Sequence, residues 1–158
     1  ARAATICAAH DAIVEINAHC RQDELRAAGC GETLLVDTER LVDFVRTAAE
    51  TDAAVSVKVR AEVPGVDLPT TAKRVSAVGA DILHVDAMDS EAVIESIDAA
   101  VGDSLFVIAN NGVRGRETAF EYFSYGADAV SVGRPSDRPS VLEEVYSAVE
   151  AWFQEQPA

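Results

Sequence analysis

The sequence predicts an α/β fold made of parallel β/α units, and two observations support this. Five short apolar runs, rich in Val, Ile and Ala, are typical of strands buried on both faces of a parallel sheet. Segments with apolar residues at helical spacing alternate with them, which indicates βαβ units. Five units are too few to close a barrel of eight. We therefore expect an open α/β sheet or the C-terminal portion of a TIM (β/α)8 barrel.

The predicted elements follow one another at regular spacing. Strands are predicted at residues 13–17, 55–60, 82–86, 105–110 and 129–133, and helices at 41–50, 91–101, 117–126 and 140–153. The last helix is expected to open with a capping box from Ser140 to Glu143. Gly79, Gly102 and Gly126 stand where helix C-caps belong. The first ten residues read as the end of a helix that precedes the first strand.

Two features interrupt this regular pattern. The first connection is longer than the others because it contains a polar segment, residues 18–37, which we interpret as an active-site loop. The stretches GADILHVDAMD (79–89) and GADAVSVGRPSD (126–137) form a repeat, each with a glycine, a short strand and a polar strand end. The chain is predicted to be one domain over residues 1–158, a partial barrel whose N-terminal strands are missing.

Composition limits the classes of partner and the compartment. The formal net charge is −14, the acidic residues are dispersed, and only two lysines occur, Lys58 and Lys73. This surface is typical of a protein from a salt-loving organism, because concentrated salt screens like charges; an ordinary acidic cytosolic protein is the plainer alternative. In either case the negative charge opposes binding of nucleic acid unless a local basic patch overrides it. The three cysteines include no CxxC pair, and no apolar run is long enough to span a bilayer. We expect a cytoplasmic protein.

Every predicted strand ends in polar or reactive side chains, and the carboxyl ends of parallel strands form the functional face of βα folds. In chain order these side chains are Asn17, His19 and Cys20; Lys58 and Arg60; His84 and Asp86; Asn110, Asn111 and Gly112; Gly133 and Arg134.

Several of these residues indicate a particular chemistry, and each has a plainer alternative. An inward Lys58 in a buried strand needs an anionic partner, although a solvent-facing edge strand could read the same way. ANNGVRG (109–115) and SVGRPSD (131–137) could cradle a phosphate, with Arg134 as its counter-charge, or could be simple glycine turns. His84 could equally be a core histidine. Cys20 could be a reactive thiol or a small buried hydrophobe.

Taken in chain order, the strand-end motifs resemble those of FMN-binding barrels of the tRNA-dihydrouridine synthase type. They also resemble, more distantly, dihydroorotate and dihydropyrimidine dehydrogenases. INAHC (16–20) is similar to Asn-x-Gly-Cys-Pro, VSVKVR (55–60) to Val-x-Val-Lys-x-Arg, and LHVDAMD (83–89) to a His-x-Arg segment. AAGCGETLL (27–35) resembles a Gly-rich stretch, and VIANNGV (107–113) and AVSVGRPS (129–136) resemble the paired phosphate loops. The match covers strands four to eight of the barrel. The sequence is similar above all to short archaeal relatives of this family.

The resemblance implies a role for each matching residue. Lys58 would stabilise negative charge near N1 and O2 of the reduced flavin, and His84 would also lie beside the flavin. The pairs Asn111-Gly112 and Gly133-Arg134 would hold the 5′-phosphate of FMN. Asn17 would face the substrate ring, and Cys20 would protonate the pyrimidine carbon opposite the incoming hydride.

The sequence departs from the family pattern at four positions. His19 stands in place of Gly, Arg21 in place of Pro, Asp86 in place of Arg, and Pro135 in place of Gly. The family's first three strands and its C-terminal tRNA-gripping helical domain have no counterpart in these residues.

Three hypotheses for function remain open from the sequence. The first is an FMN-dependent oxidoreductase acting on a pyrimidine C=C bond, either of a free pyrimidine or of uridine in tRNA. The second is a non-redox phosphate-binding lyase or isomerase that uses Lys58 as a base or Schiff-base amine. The third is a non-catalytic half-barrel. Its open edges predict a homo-oligomer or pairing with a missing N-terminal half.

Overall fold

The computed structural model describes residues 1–154, and its centre is one five-stranded parallel sheet. The strands lie in sequence order and each pairs in parallel with the next. They are β1 (Val14–Asn17), β2 (Val55–Arg60), β3 (Ile82–Asp86), β4 (Phe106–Asn110) and β5 (Ala129–Ser131). The predicted α/β class, the parallel pairing and the position of every strand to within two residues at either end are confirmed.

Eight α-helices flank and connect the strands within residues 1–154. They are α1 (Arg2–Ala8), α2 (Asp23–Ala27), α3 (Glu32–Val36), α4 (Thr38–Ala49), α5 (Leu68–Ser76), α6 (Val93–Val101), α7 (Arg116–Ser124) and α8 (Pro139–Gln154). The helix that the first ten residues suggested is therefore present as α1. None of these helices has both the length and the apolar composition needed to cross a membrane.

The sheet has one apolar face, and helices cover it. Val57 pairs with Leu83, and Leu83 with Val107, so side chains of equal register share a face. The residues of this face in β2, β3 and β4 are at most 1% exposed: Val55, Val57, Val59, Leu83, Val85, Val107 and Ala109. Helices α4, α6 and α7 contact the sheet directly, and α5 packs between α4 and α6. Each buried Val or Leu stabilises the fold by roughly 1.5–3 kcal/mol.

The opposite face carries polar side chains, and we call it the polar face. Its polar residues are Glu15, Asn17, Ser56, Lys58, Arg60, His84, Asp86, Asn110 and Ser131, and the same registers also place Ile82, Phe106, Ile108 and Ala129 on this face. The alternation in VSVKVR thus separates two environments, with its valines under the helices and Ser56, Lys58 and Arg60 on the polar face.

Three details of the secondary structure differ from the sequence prediction. Helix α5 was not predicted, although Asp67 caps it by accepting the Thr70 N–H at 3.1 Å and Pro69 follows in its first turn. The predicted loop 18–37 contains two short helices, α2 and α3. The capping box at Ser140 is wrong because α8 begins at Pro139, which places Ser140 inside the first turn.

Two aspartates of the sequence repeat join neighbouring strands at their amino ends. Asp81 Oδ2 accepts the Val55 N–H at 2.8 Å, and Asp128 Oδ2 accepts the Val107 N–H at 2.7 Å. The backbone N–H of each aspartate donates to the carbonyl oxygen of the same valine, at 2.9 Å. The preceding Gly79 and Gly126 have φ of +101° and +94°, a conformation that favours glycine after a helix.

Candidate functional site

The carboxyl ends of the strands bring the polar face together as two rows. One row contains Asn17, Lys58 and His84, and the next contains Arg60, Asp86, Asn110 and Ser131. Because the strands are parallel and in register, residues that are 21 to 41 positions apart in the chain become direct neighbours. The structure thus places Asn17, Lys58 and His84 side by side, as the strand-end argument predicted.

A chain of hydrogen bonds crosses the polar face from β1 to β5. His84 Nδ1 lies 3.0 Å from Glu15 Oε2, which also accepts the Ser56 hydroxyl at 3.1 Å. Asn110 Nδ2 lies 3.3 Å from His84 Nε2 and donates to Ser131 Oγ at 3.1 Å. A carboxylate only accepts and an NH₂ group only donates, so this arrangement assigns the His84 proton to Nδ1. The imidazole is therefore held in one orientation.

Lys58 stands beside this chain without a bonded partner. It is half-buried, and within residues 1–154 its ammonium takes part in no ion pair or hydrogen bond. The charge of Lys58 nevertheless affects the pKa of a neighbouring histidine. The pKa of His19 lies below its ordinary value of 6.5, first because of burial and then because of Lys58, while Asp86 opposes the shift. A buried amine with no protein partner is available to a bound molecule.

Both predicted phosphate loops border one cleft of about 440 Å³. Asn111 and Gly112 line one side of it, and Gly133 and Arg134 line the other; Asp86 and Asn110 connect it to the polar face. Among residues 1–154, Arg134 forms no ion pair, and Arg114 adds a second guanidinium to the rim. The four residues that the sequence proposed for anion binding therefore meet in one place.

The backbone of these loops suits an anion. In the part of the chain that the structure describes, the N–H groups of Gly112, Val113, Gly133 and Arg134 donate to no protein oxygen. Asn111 and Gly112 have consecutive positive φ values of +81° and +71°. A turn with successive free backbone N–H groups forms the type of concavity that binds phosphate groups. A phosphate monoester fits this donor set.

Cys20 lies at the base of the segment that follows β1. Asn17 Oδ1 accepts the backbone N–H groups of His19 and Cys20, both at 3.1 Å, and the Cys20 carbonyl accepts the Glu32 N–H at 2.9 Å. A side chain at Gly31 would collide with that carbonyl. The half-buried thiol is thus attached to a fixed backbone, while the Asn17 carbonyl oxygen, predicted to face a substrate, is already engaged in this turn.

The two basic side chains that flank Cys20 in the chain, His19 and Arg21, are partly buried or paired with a carboxylate. Arg21 Nε lies 3.4 Å from Glu32 Oε2, and Arg60 Nε lies 3.9 Å from the same oxygen. His19, whose pKa is lowered mainly by burial, is neutral at pH 7. Its Nε2 lies 3.9 Å from Asp86 Oδ2. Two of the residues that differ from the family pattern, His19 and Asp86, are therefore neighbours in the structure.

Sequence reasoning missed three residues of this region: Glu15, Glu32 and Tyr122. Glu15 could have been found, because it shares a face with Asn17 by the two-residue period of a strand. Glu32 and Tyr122 reach the site from helices, and no local pattern indicated their direction.

Comparisons with known proteins agree with this architecture. The sequence model described as "Dihydrouridine synthase (Dus)" matches residues 1–158. An uncharacterized protein of Methanocaldococcus jannaschii is 31% identical over 137 residues, which cover 80% of this chain and 51% of that protein. The chain therefore spans about half the length of this curated relative.

Solved structures of mandelate oxidase share the fold. The complex with benzoyl-formic acid has a TM-score of 0.55 and 23% identity, over 69% of this chain and 38% of that one. A mandelate oxidase variant with the monooxide FMN adduct has a TM-score of 0.52 and 21% identity, over 96% of this chain and 59% of that one. At these identities the likeness concerns the fold alone, and it agrees with a portion of a (β/α)8 barrel. The family match over the whole chain and the parallel strand-end site together show that this chain belongs to the dihydrouridine synthase family.

Proposed function

We propose that this chain is the flavin-binding part of an FMN-dependent oxidoreductase that acts on a pyrimidine C=C bond. One observation carries the proposal. A cleft bordered by two phosphate-type loops opens onto a polar sheet face that bears an unpartnered Lys58 and an oriented His84. Asn110 links the two regions, because it lines the cleft and also contacts His84 Nε2 at 3.3 Å. One elongated ligand with a phosphate at one end matches this layout.

The phosphate of FMN would be held at the cleft by charge and by backbone donors. Arg134 would supply the charge-assisted contact, and the free N–H groups of Gly112 and Gly133 would complete the binding. The flavin ring would then lie over the polar face, where Lys58 would favour negative charge on it and His84 would contact it. These assignments rest on the placement of the residues and on the family motifs.

When bound, FMN supplies the hydride chemistry that no protein side chain can supply. The chain's own residues would position the substrate and deliver a proton. In pyrimidine reduction, Cys20 would donate its thiol proton to one carbon of the alkene, and the thiolate left behind would be reprotonated from solvent. His19, whose pKa is lowered mainly by burial, and Arg21, which is paired with Glu32, would flank this thiol.

We further propose that β1–β5 are strands four to eight of a barrel that additional strands complete. Both β1 and β5 leave an unpaired edge within residues 1–154, and closing a barrel removes such edges. A free pyrimidine and uridine in tRNA both remain candidate substrates. The acidity of the chain, with a net charge of −14, favours the smaller one.

The deciding experiment is an FMN titration of the complete natural polypeptide, followed by visible absorbance and flavin fluorescence. We expect bound FMN in the wild type and a tenfold to hundredfold weaker affinity in Arg134→Ala, as for loss of a charge-assisted contact worth roughly 1.5–3 kcal/mol. Arg46→Ala is the matched control, because Arg46 lies on the exposed surface of α4. Absence of flavin binding in the wild type would refute the proposal.

A second function is favoured by one observation, the lack of a partner for Lys58. A free half-buried amine could form a Schiff base with a phosphorylated carbonyl compound in a lyase or isomerase. Borohydride trapping of such an adduct, lost in Lys58→Met, would favour this function over flavin chemistry. No trapped adduct would exclude the Schiff-base form.

A further inference from the structure

Asn111, in the first phosphate loop, has a left-handed backbone conformation, which among non-glycine residues is tolerated best by asparagine and aspartate. Its φ is +81°, a region that even asparagine occupies less readily than the right-handed one, so contacts from the surroundings help to hold it there. The next residue, Gly112, also has positive φ, so the two peptide groups turn in the same sense. The free N–H groups of Gly112 and Val113 depend on this turn for their direction.

Two residues outside the loop hold Asn111 from opposite ends. The Tyr122 hydroxyl donates to the Asn111 carbonyl oxygen at 2.6 Å, and the Asn111 side-chain amide donates to Asp86 Oδ1 at 3.0 Å. Tyr122 projects from α7 and is only 1% exposed, so its hydroxyl position is set by the core. Burial raises the pKa of Tyr122, which keeps the hydroxyl protonated and able to donate.

Asp86 belongs to the polar face, whereas Tyr122 belongs to the helix layer that covers the other side. The Asn111 backbone therefore bridges the site and the core. Two side chains from outside the phosphate loops thus hold the backbone of Asn111 in one conformation. Strained conformations that are held in this way are found at ligand-binding turns.

We propose that Tyr122 and Asp86 are positioning residues that hold Asn111 in its left-handed conformation and so preset the loop amides for a phosphate monoester. The inference rests on the proposed function, because it assigns the role through FMN. It predicts that weakening either contact lowers the affinity for the phosphate end of the ligand and leaves binding of the isoalloxazine ring unchanged. Riboflavin, which is FMN without its phosphate, separates these two effects.

The first test compares Tyr122→Phe with the wild type in titrations of FMN and riboflavin. The ring of Phe fills the same space, so only the hydroxyl is lost. We expect FMN affinity to fall about three- to tenfold, the usual effect of one neutral hydrogen bond, and riboflavin affinity to stay the same. Tyr146→Phe is the control, since the hydroxyl of this exposed tyrosine bonds to Glu150 within α8, far from the phosphate loops in the chain.

Equal loss of affinity for FMN and riboflavin would mean that Tyr122 acts through general stability. No loss of affinity for either ligand would mean that the hydrogen bond from Tyr122 to Asn111 has no effect on binding. Either result overturns the inference. If the wild type binds neither flavin, the proposed function fails by itself. Titration with inorganic phosphate, followed by phosphorus NMR, then tests the inference directly. It should again show weaker binding in Tyr122→Phe, and equal phosphate binding overturns the inference.

The second test separates the hydrogen bond of Asp86 from its charge. Asp86→Asn and Asp86→Ala both remove the negative charge, but only asparagine retains an oxygen that can accept the Asn111 amide. We expect Asp86→Asn to bind FMN about three- to tenfold more tightly than Asp86→Ala, with equal riboflavin affinities. Equal FMN affinities of the two variants would overturn the role of Asp86.

Discussion

Asp128→Ala removes the side-chain acceptor of a backbone N–H that is buried between two strands. The Val107 N–H donates to Asp128 Oδ2 at 2.7 Å, and Val107 is 1% exposed. Alanine leaves this donor without a partner, which costs about 1–3 kcal/mol of the free energy of unfolding. In a domain of this size each kcal/mol lowers Tm by roughly 2–4 °C, so we expect Tm to fall by about 2–12 °C.

The measurement is urea denaturation together with a thermal melt. Asp128→Asn should lose much less stability than Asp128→Ala, because its side-chain oxygen still accepts the bond. Asp103→Ala is the control, since Asp103 is exposed and makes no side-chain hydrogen bond within residues 1–154. Asp81→Ala should behave like Asp128→Ala, because it removes the equivalent bond to Val55. A change below about 0.5 kcal/mol in Asp128→Ala would refute the reasoning, since that is the usual effect of a surface substitution.

Three further predictions concern the site. Cys20→Ala should leave FMN binding unchanged and slow single-turnover reoxidation of the flavin by a pyrimidine substrate by about 10²–10⁴, the range of general acid catalysis; unchanged reoxidation together with a lower melting temperature would make Cys20 structural. Lys58→Met should lower the midpoint potential of bound FMN by about 30 mV or more, because it removes a cation that favours the reduced state, and spectroelectrochemistry measures the shift; an equal or higher potential would contradict the role. His19 has a pKa below 6.5 in the folded protein, so the unfolded chain takes up its proton first as the pH falls. Wild-type stability should therefore decline relative to His19→Gln below about pH 6.5, and urea midpoints that stay parallel between pH 7.5 and pH 5 would contradict this.

The sequence by itself determined the features that depend on local periodicity. Each strand is short and contains β-branched residues, and VSVKVR already separates Lys58 from its valine neighbours because side chains alternate along a strand. The strand-end motifs were also readable, since parallel strands bring their carboxyl ends to one edge. Asn111, Gly112, Gly133 and Arg134 were proposed on this ground, and they do border one cleft.

Helix α5 shows where local signals were present but were overlooked. Its sequence, LPTTAKRVS, has few strongly apolar residues, so a search for apolar periodicity passed over it. The Asp67 cap and Pro69 nevertheless mark its start, and tertiary contacts bury Leu68, Ala72 and Val75. Packing between α4 and α6 stabilises this helix more than the intrinsic propensity of its residues does.

Only the tertiary structure decided which side chains act on one another across the site. Glu15 and His84 are 69 positions apart in the chain, and strand order brings them within 3.0 Å. Tyr122 reaches Asn111 because α7 packs on the apolar face, and Glu32 meets Arg21 and Arg60 because the segment after β1 folds back into α3. Local periodicity gives the direction of a side chain from its own element. The distance between two elements depends on how the whole sheet and its helices pack, and no short stretch of sequence contains that information.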